Sequence, residues 1–118
     1  MAHLKNKDLK RYIDNVYTIS YPKKRLTFEW NLKKNVRNFK KHRVWFEEAQ
    51  TIWADPLAVE YFDPDHSEEE ERYIRVGRTC RLKILLVVFC EQEEDNLIRI
   101  ISARKVTQRE KRDYEKGI

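Results

Sequence analysis

Residues 25–30 alternate strictly, with Leu26, Phe28 and Trp30 on one side and Thr27 and Glu29 on the other, which is the period of two of a half-buried strand. Upstream, Leu4, Leu9, Tyr12, Ile13 and Val16 fall at near-helical spacing among lysines, so residues 4–17 read as a short amphipathic helix that Tyr21-Pro22 ends. After the strand, Asn31 is placed to cap a helix in which Leu32, Val36 and Phe39 form a stripe with lysines on the other face, ending near Lys41-His42. A second helix follows, because Trp45, Phe46, Ala49, Ile52 and Trp53 make one apolar stripe. Asp55-Pro56 stops it, since the residue before a proline is pushed out of the helical region.

Residues 57–62 read as a strand, and the acidic stretch Asp63-Pro64-Asp65-His66-Ser67 with the four glutamates after it as a loop. From there the pattern is a meander of three segments, residues 72–78, 82–90 and 97–103. The middle one is apolar on both faces and is therefore central. Thr107-Gln108-Arg109-Glu110 fits a capping box, and the helix it opens, residues 108–116, is polar nearly all round and needs a partner surface. Taking the sheet as the first strand plus the meander, the order is (α)βααβββα, helices grouped on one side of one antiparallel sheet, an α+β arrangement.

With 118 residues the chain suits one domain and excludes a two-domain enzyme; 41% hydrophobic and 38% charged residues, with two glycines and three prolines, exclude a disordered tail. No stretch is apolar enough to span a bilayer and the first ten residues are charged, so the expectation is a soluble, cytoplasmic protein without membrane contact. Cys80 and Cys90 form no CxxC pair, and His3, His42 and His66 add no ligand spacing, so neither a disulfide, a metal nor any other cofactor is expected. The net charge of +5 is banded: +9 over residues 1–41, −9 over 42–71, +5 over 72–90 and zero thereafter. Basic bands suit a polyanion such as nucleic acid, although charged residues mostly solvate a surface.

Metal-free cleavage of an RNA phosphodiester needs a base for the 2′-OH, cations for the phosphorane and an acid for the leaving oxygen. Glu29, Lys41, His42 and the meander arginines are of the right types; Arg72 and Arg78 share parity and so one face of their strand. Each has a plainer reading. His42 at a helix end caps carbonyls, Glu29 is solvated, and Arg99 packs its stem on the sheet or pairs with Glu91 or Glu94. On residue types alone, a non-catalytic RNA- or protein-binding module and a pure interaction protein stay open beside a nuclease.

Phe28-Glu29-Trp30-Asn31, Lys34, Asn38-Phe39-Lys40-Lys41-His42, Val44 and Phe46-Glu47-Glu48-Ala49 together resemble the opening signature of the BrnT toxin family. Asp55-Pro56-Leu57, Asp63-Pro64-Asp65-His66-Ser67, Glu70-Glu71-Arg72, Val76-Gly77-Arg78, Arg99-Ile100-Ile101-Ser102-Ala103-Arg104, Arg109 and Tyr114 continue it in the same order over about residues 26–115. The resemblance implies a RelE-like fold and an endoribonuclease toxin of a type II toxin–antitoxin pair that cuts cellular RNA, inhibits translation and arrests growth. It also implies a BrnA-like antitoxin that forms a hetero-oligomer with the toxin and alone contacts operator DNA. The catalytic set expected on this basis is Glu29, Lys41, His42, Arg72, Arg78 and Arg104, with His42 or Glu29 as base or acid; Lys34, Lys40, Arg43, Arg99 and Tyr114 are the expected RNA contacts. Cleavage through 2′-OH attack leaves a 2′,3′-cyclic phosphate or a 3′-phosphate. The chain departs from the family pattern twice: residues 1–22 are an extension, expected to be helical, ahead of a single domain at 23–118, and Arg43 stands where a glycine often follows the Lys-His pair. There it adds a charge that lowers the pKa of His42 or a phosphate contact.

Overall fold

Alternation at residues 25–30 becomes β2 (Arg25–Glu29), whose Leu26 and Phe28 are buried along with Trp30 just beyond it. The computed structural model describes residues 17–20, 25–64, 70–92 and 96–117. Ahead of β2 lies β1 (Tyr17–Ser20), antiparallel to it from Tyr17 opposite Phe28 to Ser20 opposite Arg25. The amphipathic helix expected at residues 4–17 therefore falls, except for Tyr17, outside the described residues, and Tyr17 itself is strand.

After β2 come α1 (Leu32–His42), the short α2 (Phe46–Ala49) with a 3-10 turn (Gln50–Ala54), β3 (Val59–Asp63), β4 (Arg72–Arg78), β5 (Ile84–Gln92), β6 (Leu97–Lys105) and α3 (Gln108–Lys116). The sheet order is β1-β2-β6-β5-β4-β3. The chain is α+β as the patterns predict, with the strand expected at residues 57–62 present as the edge strand β3. The sheet is mixed rather than antiparallel, because β2 pairs parallel to β6, with Glu29 opposite Arg99. Parallel neighbours require a long crossover, and the two helices with β3, β4 and β5 lie between them along the chain.

One face of the sheet carries the core. Leu26, Phe28, Leu85, Val87, Phe89, Ile98, Ile100 and Ala103 meet Phe46, Ala49, Ile52 and Trp53 from α2 and the 3-10 turn. Trp53 stands edge-on to Phe28 and Phe89, at 5.1 and 4.9 Å between ring centroids. Gly77 permits this packing: a Cβ there would lie 3.0 Å from the Ile52 Cβ and 3.1 Å from that of Ala58.

α1 does not bury its apolar stripe. Leu32 and Val36 are 53% and 37% exposed, Trp45 is also exposed, and the side chains turned to the sheet are Asn35 and Asn38. Every amide group involved is satisfied. Asn35 accepts from the Phe46 N–H and donates to Glu47, while Asn38 donates to the carbonyls of Val44 and Ala103 and accepts from the Ala103 N–H. These bonds clamp the α1–α2 turn and hold α1 on β6.

α3 opens on the expected capping box at Thr107 and ends at Gly117 in the left-handed region. Its sheet partners, Arg104, Arg78 and Tyr61, all have the parity opposite to the core-facing residues, so α3 covers the other face rather than joining α1 and α2. Its polarity explains this. It is held by ion-pair and hydrogen-bond contacts and contributes one buried side chain, Tyr114.

Candidate functional site

The expected site residues on the strands, Glu29, Arg72, Arg78, Arg99 and Arg104, lie on the face of the sheet away from the core, divided between its two ends. Arg99 and Arg104 are five residues apart on β6, which at the rise of a strand separates the two groups by on the order of 15 Å.

At the first end, α1 delivers Lys41 and His42 in its last turn, and the clamp between Asn38 and Ala103 brings that turn to β6 beside Arg104. His42 is half-buried; burial, then the charges of Lys41 and Arg104, hold its pKa below the usual 6.5. An imidazole so placed is neutral at pH 7 and can accept a proton. Arg104 makes two bonds to Glu110, at 2.9 and 3.0 Å, and the bonds from Arg104 draw the Glu110 carboxyl down to about 2. Glu110 also completes the capping box, so the guanidinium is fixed to the start of α3.

Arg78 and Tyr114 belong to the same end. The Arg78 guanidinium lies 6.0 Å from the centre of the Tyr114 ring, and the Tyr114 hydroxyl donates to Asp55 Oδ2 at 2.5 Å. The same oxygen accepts the Arg78 N–H at 2.8 Å. Burial and the Asp55 bond push the phenol up, which makes it a poor proton donor at neutral pH. Asp55 and Glu110 are not among the site residues expected from the sequence, where the first is a helix stop within the family-like Asp55-Pro56-Leu57 and the second a cap; both also anchor α3.

The other end is a row across four strands. Glu29 on β2 lies opposite Arg99 on β6, Arg99 opposite Cys90 on β5, and Arg72 on β4, one residue before the Tyr73–Phe89 pair, falls level with Cys90. Arg99 donates to Glu70. Glu29 is 4% exposed with one carboxylate oxygen unpartnered, and burial raises its pKa to about 7 against the pull of Arg99. Burial and the neighbouring Glu70 likewise push the Cys90 thiol up. Cys80 and Cys90 are both free.

Of the remaining expected contacts, Lys34 and Lys40 are exposed on α1. Arg43 is not among the charges that lower the His42 pKa, which are those of Lys41 and Arg104. It caps α1 with φ +60° and lays its guanidinium 5.5 Å from the centre of the Phe39 ring. Among the described residues no three side chains of His, Cys, Asp or Glu gather where they could hold a metal ion, and no described helix is long and apolar enough to cross a membrane.

A family model for the "Ribonuclease toxin, BrnT, of type II toxin-antitoxin system" matches residues 30–110. Among solved structures, the chain is similar to the ribonuclease toxin BrnT of Brucella abortus, known from a 1.1 Å crystal structure. The identity is 21% and the TM-score 0.48, over 67% of this chain and 94% of that one. No curated protein matches. The family match runs from the end of β2 into α3 and takes in the helices, the meander and the His42 end of the sheet, and the chain therefore belongs to the BrnT family, the ribonuclease toxins of type II toxin–antitoxin systems.

Proposed function

We propose that this toxin cuts RNA internally by 2′-OH attack at the His42 end of the sheet, without a metal ion. The observation that carries the reading is a half-buried imidazole in the last turn of α1, where burial and the charges of Lys41 and Arg104 hold its pKa below 6.5. His42 takes the proton of the 2′-OH as that oxygen bonds to phosphorus, and the bond from phosphorus to the 5′ oxygen breaks. The Lys41 ammonium supplies the proton that the departing 5′ oxygen needs. The products are a 2′,3′-cyclic phosphate and a 5′-hydroxyl.

Arg78, exposed and steadied by Tyr114, meets the charge that builds on the phosphorane. Arg104 is a positioning residue, because a phosphate would have to displace Glu110 from a two-bond ion pair to reach it. Glu29, Arg72 and Arg99 lie at the far end and take no part in the step. Cellular RNA is the substrate, and growth arrest through lost translation is the consequence.

The test is cleavage of RNA by purified protein in EDTA. Cyclic phosphate ends are expected, with an acid limb below the ordinary histidine range that moves up in Lys41→Gln and Arg104→Gln and disappears with the activity in His42→Ala. Cleavage lost in EDTA and restored by a divalent ion sinks the mechanism.

The antitoxin is a BrnA-like protein that joins the toxin in a hetero-oligomer and carries its operator DNA contacts. The surface suited to it is the exposed stripe of Leu32, Val36 and Trp45, rimmed by Lys33, Arg37 and Lys40, where apolar burial supplies affinity and an acidic flank supplies fit.

A further inference from the structure

Beside the His42 end, a cleft of about 490 Å³ opens between α3 and the turn that joins β4 to β5. Its lining is of two kinds. Leu82, Ile84 and Val106 are apolar, while Arg78, Lys83, Lys105 and Lys111 bring four positive charges against the single acid Glu115. Among the described residues the three lysines take part in no ion pair, whereas Arg75, Arg99 and Arg104 are each bound to a glutamate. Three uncompensated cations around one cleft repel one another, and a polyanion relieves that repulsion.

The turn forming one wall is built rather than loose. Buried Thr79 accepts the Lys83 and Arg81 N–H groups on its hydroxyl, which donates to Glu48; its backbone N–H donates to the Lys83 carbonyl at 2.7 Å. At the tip, Leu82 sits at φ +66° with 74% of its surface exposed. A left-handed leucine is costly, and here the cost turns an aliphatic side chain outward at the mouth of a cationic cleft.

We infer that this cleft is the RNA subsite next to the cleavage site: a base of single-stranded RNA packs on Leu82, Ile84 and Val106 while the flanking phosphates bind Lys83, Lys105 and Lys111. Single-stranded nucleic acid is commonly bound by a platform on which bases pack, most often aromatic, beside cations for the backbone; here the platform is aliphatic. A duplex hides its bases and uses only the cations. Arg78 lines the cleft and also belongs to the His42 end, so a strand lying here passes directly to the proposed reaction centre. The inference rests on the ribonuclease reading for its substrate, but not on the identity of the base.

The experiment is binding of a short 2′-O-methyl oligoribonucleotide, which cannot be cut by 2′-OH attack, measured by fluorescence anisotropy over a range of KCl concentrations. Each phosphate contact contributes about 0.7 to the slope of log K against log salt for a single strand, so the variant combining Lys83→Gln, Lys105→Gln and Lys111→Gln should lose about 2 from that slope. Lys33→Gln with Arg37→Gln, on the outer side of α1, should leave it unchanged. Leu82→Gly should weaken binding several-fold at every salt concentration with the slope intact. An unchanged slope in the triple variant overturns the subsite, as does failure of the wild-type protein to bind the oligonucleotide, or a triple variant impaired only in binding the antitoxin. Slope-dependent binding by a protein that leaves unmodified RNA uncut keeps the subsite and sinks the ribonuclease mechanism; cutting by the triple variant with wild-type slope does the reverse.

Discussion

Asn38 and Ala103 close a ring of two hydrogen bonds, the side-chain amide donating to the Ala103 carbonyl at 2.9 Å and accepting its N–H at 3.1 Å. A side chain here takes the place of a strand neighbour, next to the shift in register between Val88 and Phe89 where β6 carries Ile101 as an extra residue. His42 is one turn further along α1, so this ring sets where the imidazole stands relative to Arg104.

Asn38→Leu is expected to destabilise the fold by about 2–4 kcal/mol, because it strands two buried carbonyls and one buried N–H. Urea unfolding measures that loss. At temperatures where the variant is still folded, RNA cleavage should fall far more than the folded fraction does; unchanged cleavage per folded molecule would show that the ring does not position His42.

Arg43 supplies a second case. It occupies the left-handed region at the end of α1, the position where glycine costs least. Arg43→Gly removes about 1 kcal/mol of backbone strain and loses about 0.5 kcal/mol of cation–π attraction to Phe39, for a melting temperature a few degrees higher. Arg43→Ala keeps the strain and loses the attraction, so it should melt lower than wild type. Thermal unfolding of both checks the opposite signs.

The elements that were legible in the sequence are those whose signal is local. β5 reads as a run apolar on both faces and lies inside the sheet, the α3 cap needs only Thr107 and Glu110, and of the stripe Trp45, Phe46, Ala49, Ile52 and Trp53 all but Trp45 are buried as the spacing predicts. What escaped depends on partners distant along the chain. Nothing in residues 25–30 says that β2 lies parallel to β6, and the apolar spacing of Leu32 and Val36 points away from Asn35 and Asn38, which are buried only because Phe46, Val44 and Ala103 come to meet them. The candidate residues were identifiable by type, but their division between the Glu29 and His42 ends follows from strand register, which periodicity leaves open. Lys83, Lys105 and Lys111 come from three separate elements with no common spacing, so only the fold brings them together.

Glu29 should reveal itself in stability rather than in cleavage. Its carboxyl is raised from 4.5 to about 7 in the folded protein, a net shift that already contains the attraction of Arg99. Between those pH values the unfolded chain ionises while the folded one holds its proton, so the contribution is complete below 4.5 and is lost as pH rises through about 7. Glu29→Gln removes this dependence. The variant should gain stability over wild type at pH 8 relative to pH 5, by up to about 3 kcal/mol at roughly 1.4 kcal/mol per pH unit, and should still cut RNA. Urea titrations at the two pH values measure the difference; equal stability differences at both would mean that Glu29 is ionised throughout.

The stripe on α1 makes the last expectation, for the antitoxin. Phe39 is sandwiched between the Trp45 ring, stacked at 4.1 Å, and the Arg43 guanidinium, leaving Leu32 and Val36 exposed beside it with Lys33, Arg37 and Lys40 along the outer edge. Exposed apolar residues of this size, set in a row and bordered by cations, suit a partner with an apolar ridge and an acidic flank. Surface ion pairs alone are weak and screened, so the apolar contact must supply most of the affinity. Leu32→Glu and Val36→Glu therefore should leave cleavage and folding intact and impair neutralisation. Co-expression with the antitoxin, scored by growth and by co-elution in about 0.5 M salt where screening reaches only a few ångströms, separates the cases. Both variants should arrest growth and elute without the partner. Full neutralisation of both would move the antitoxin to another face.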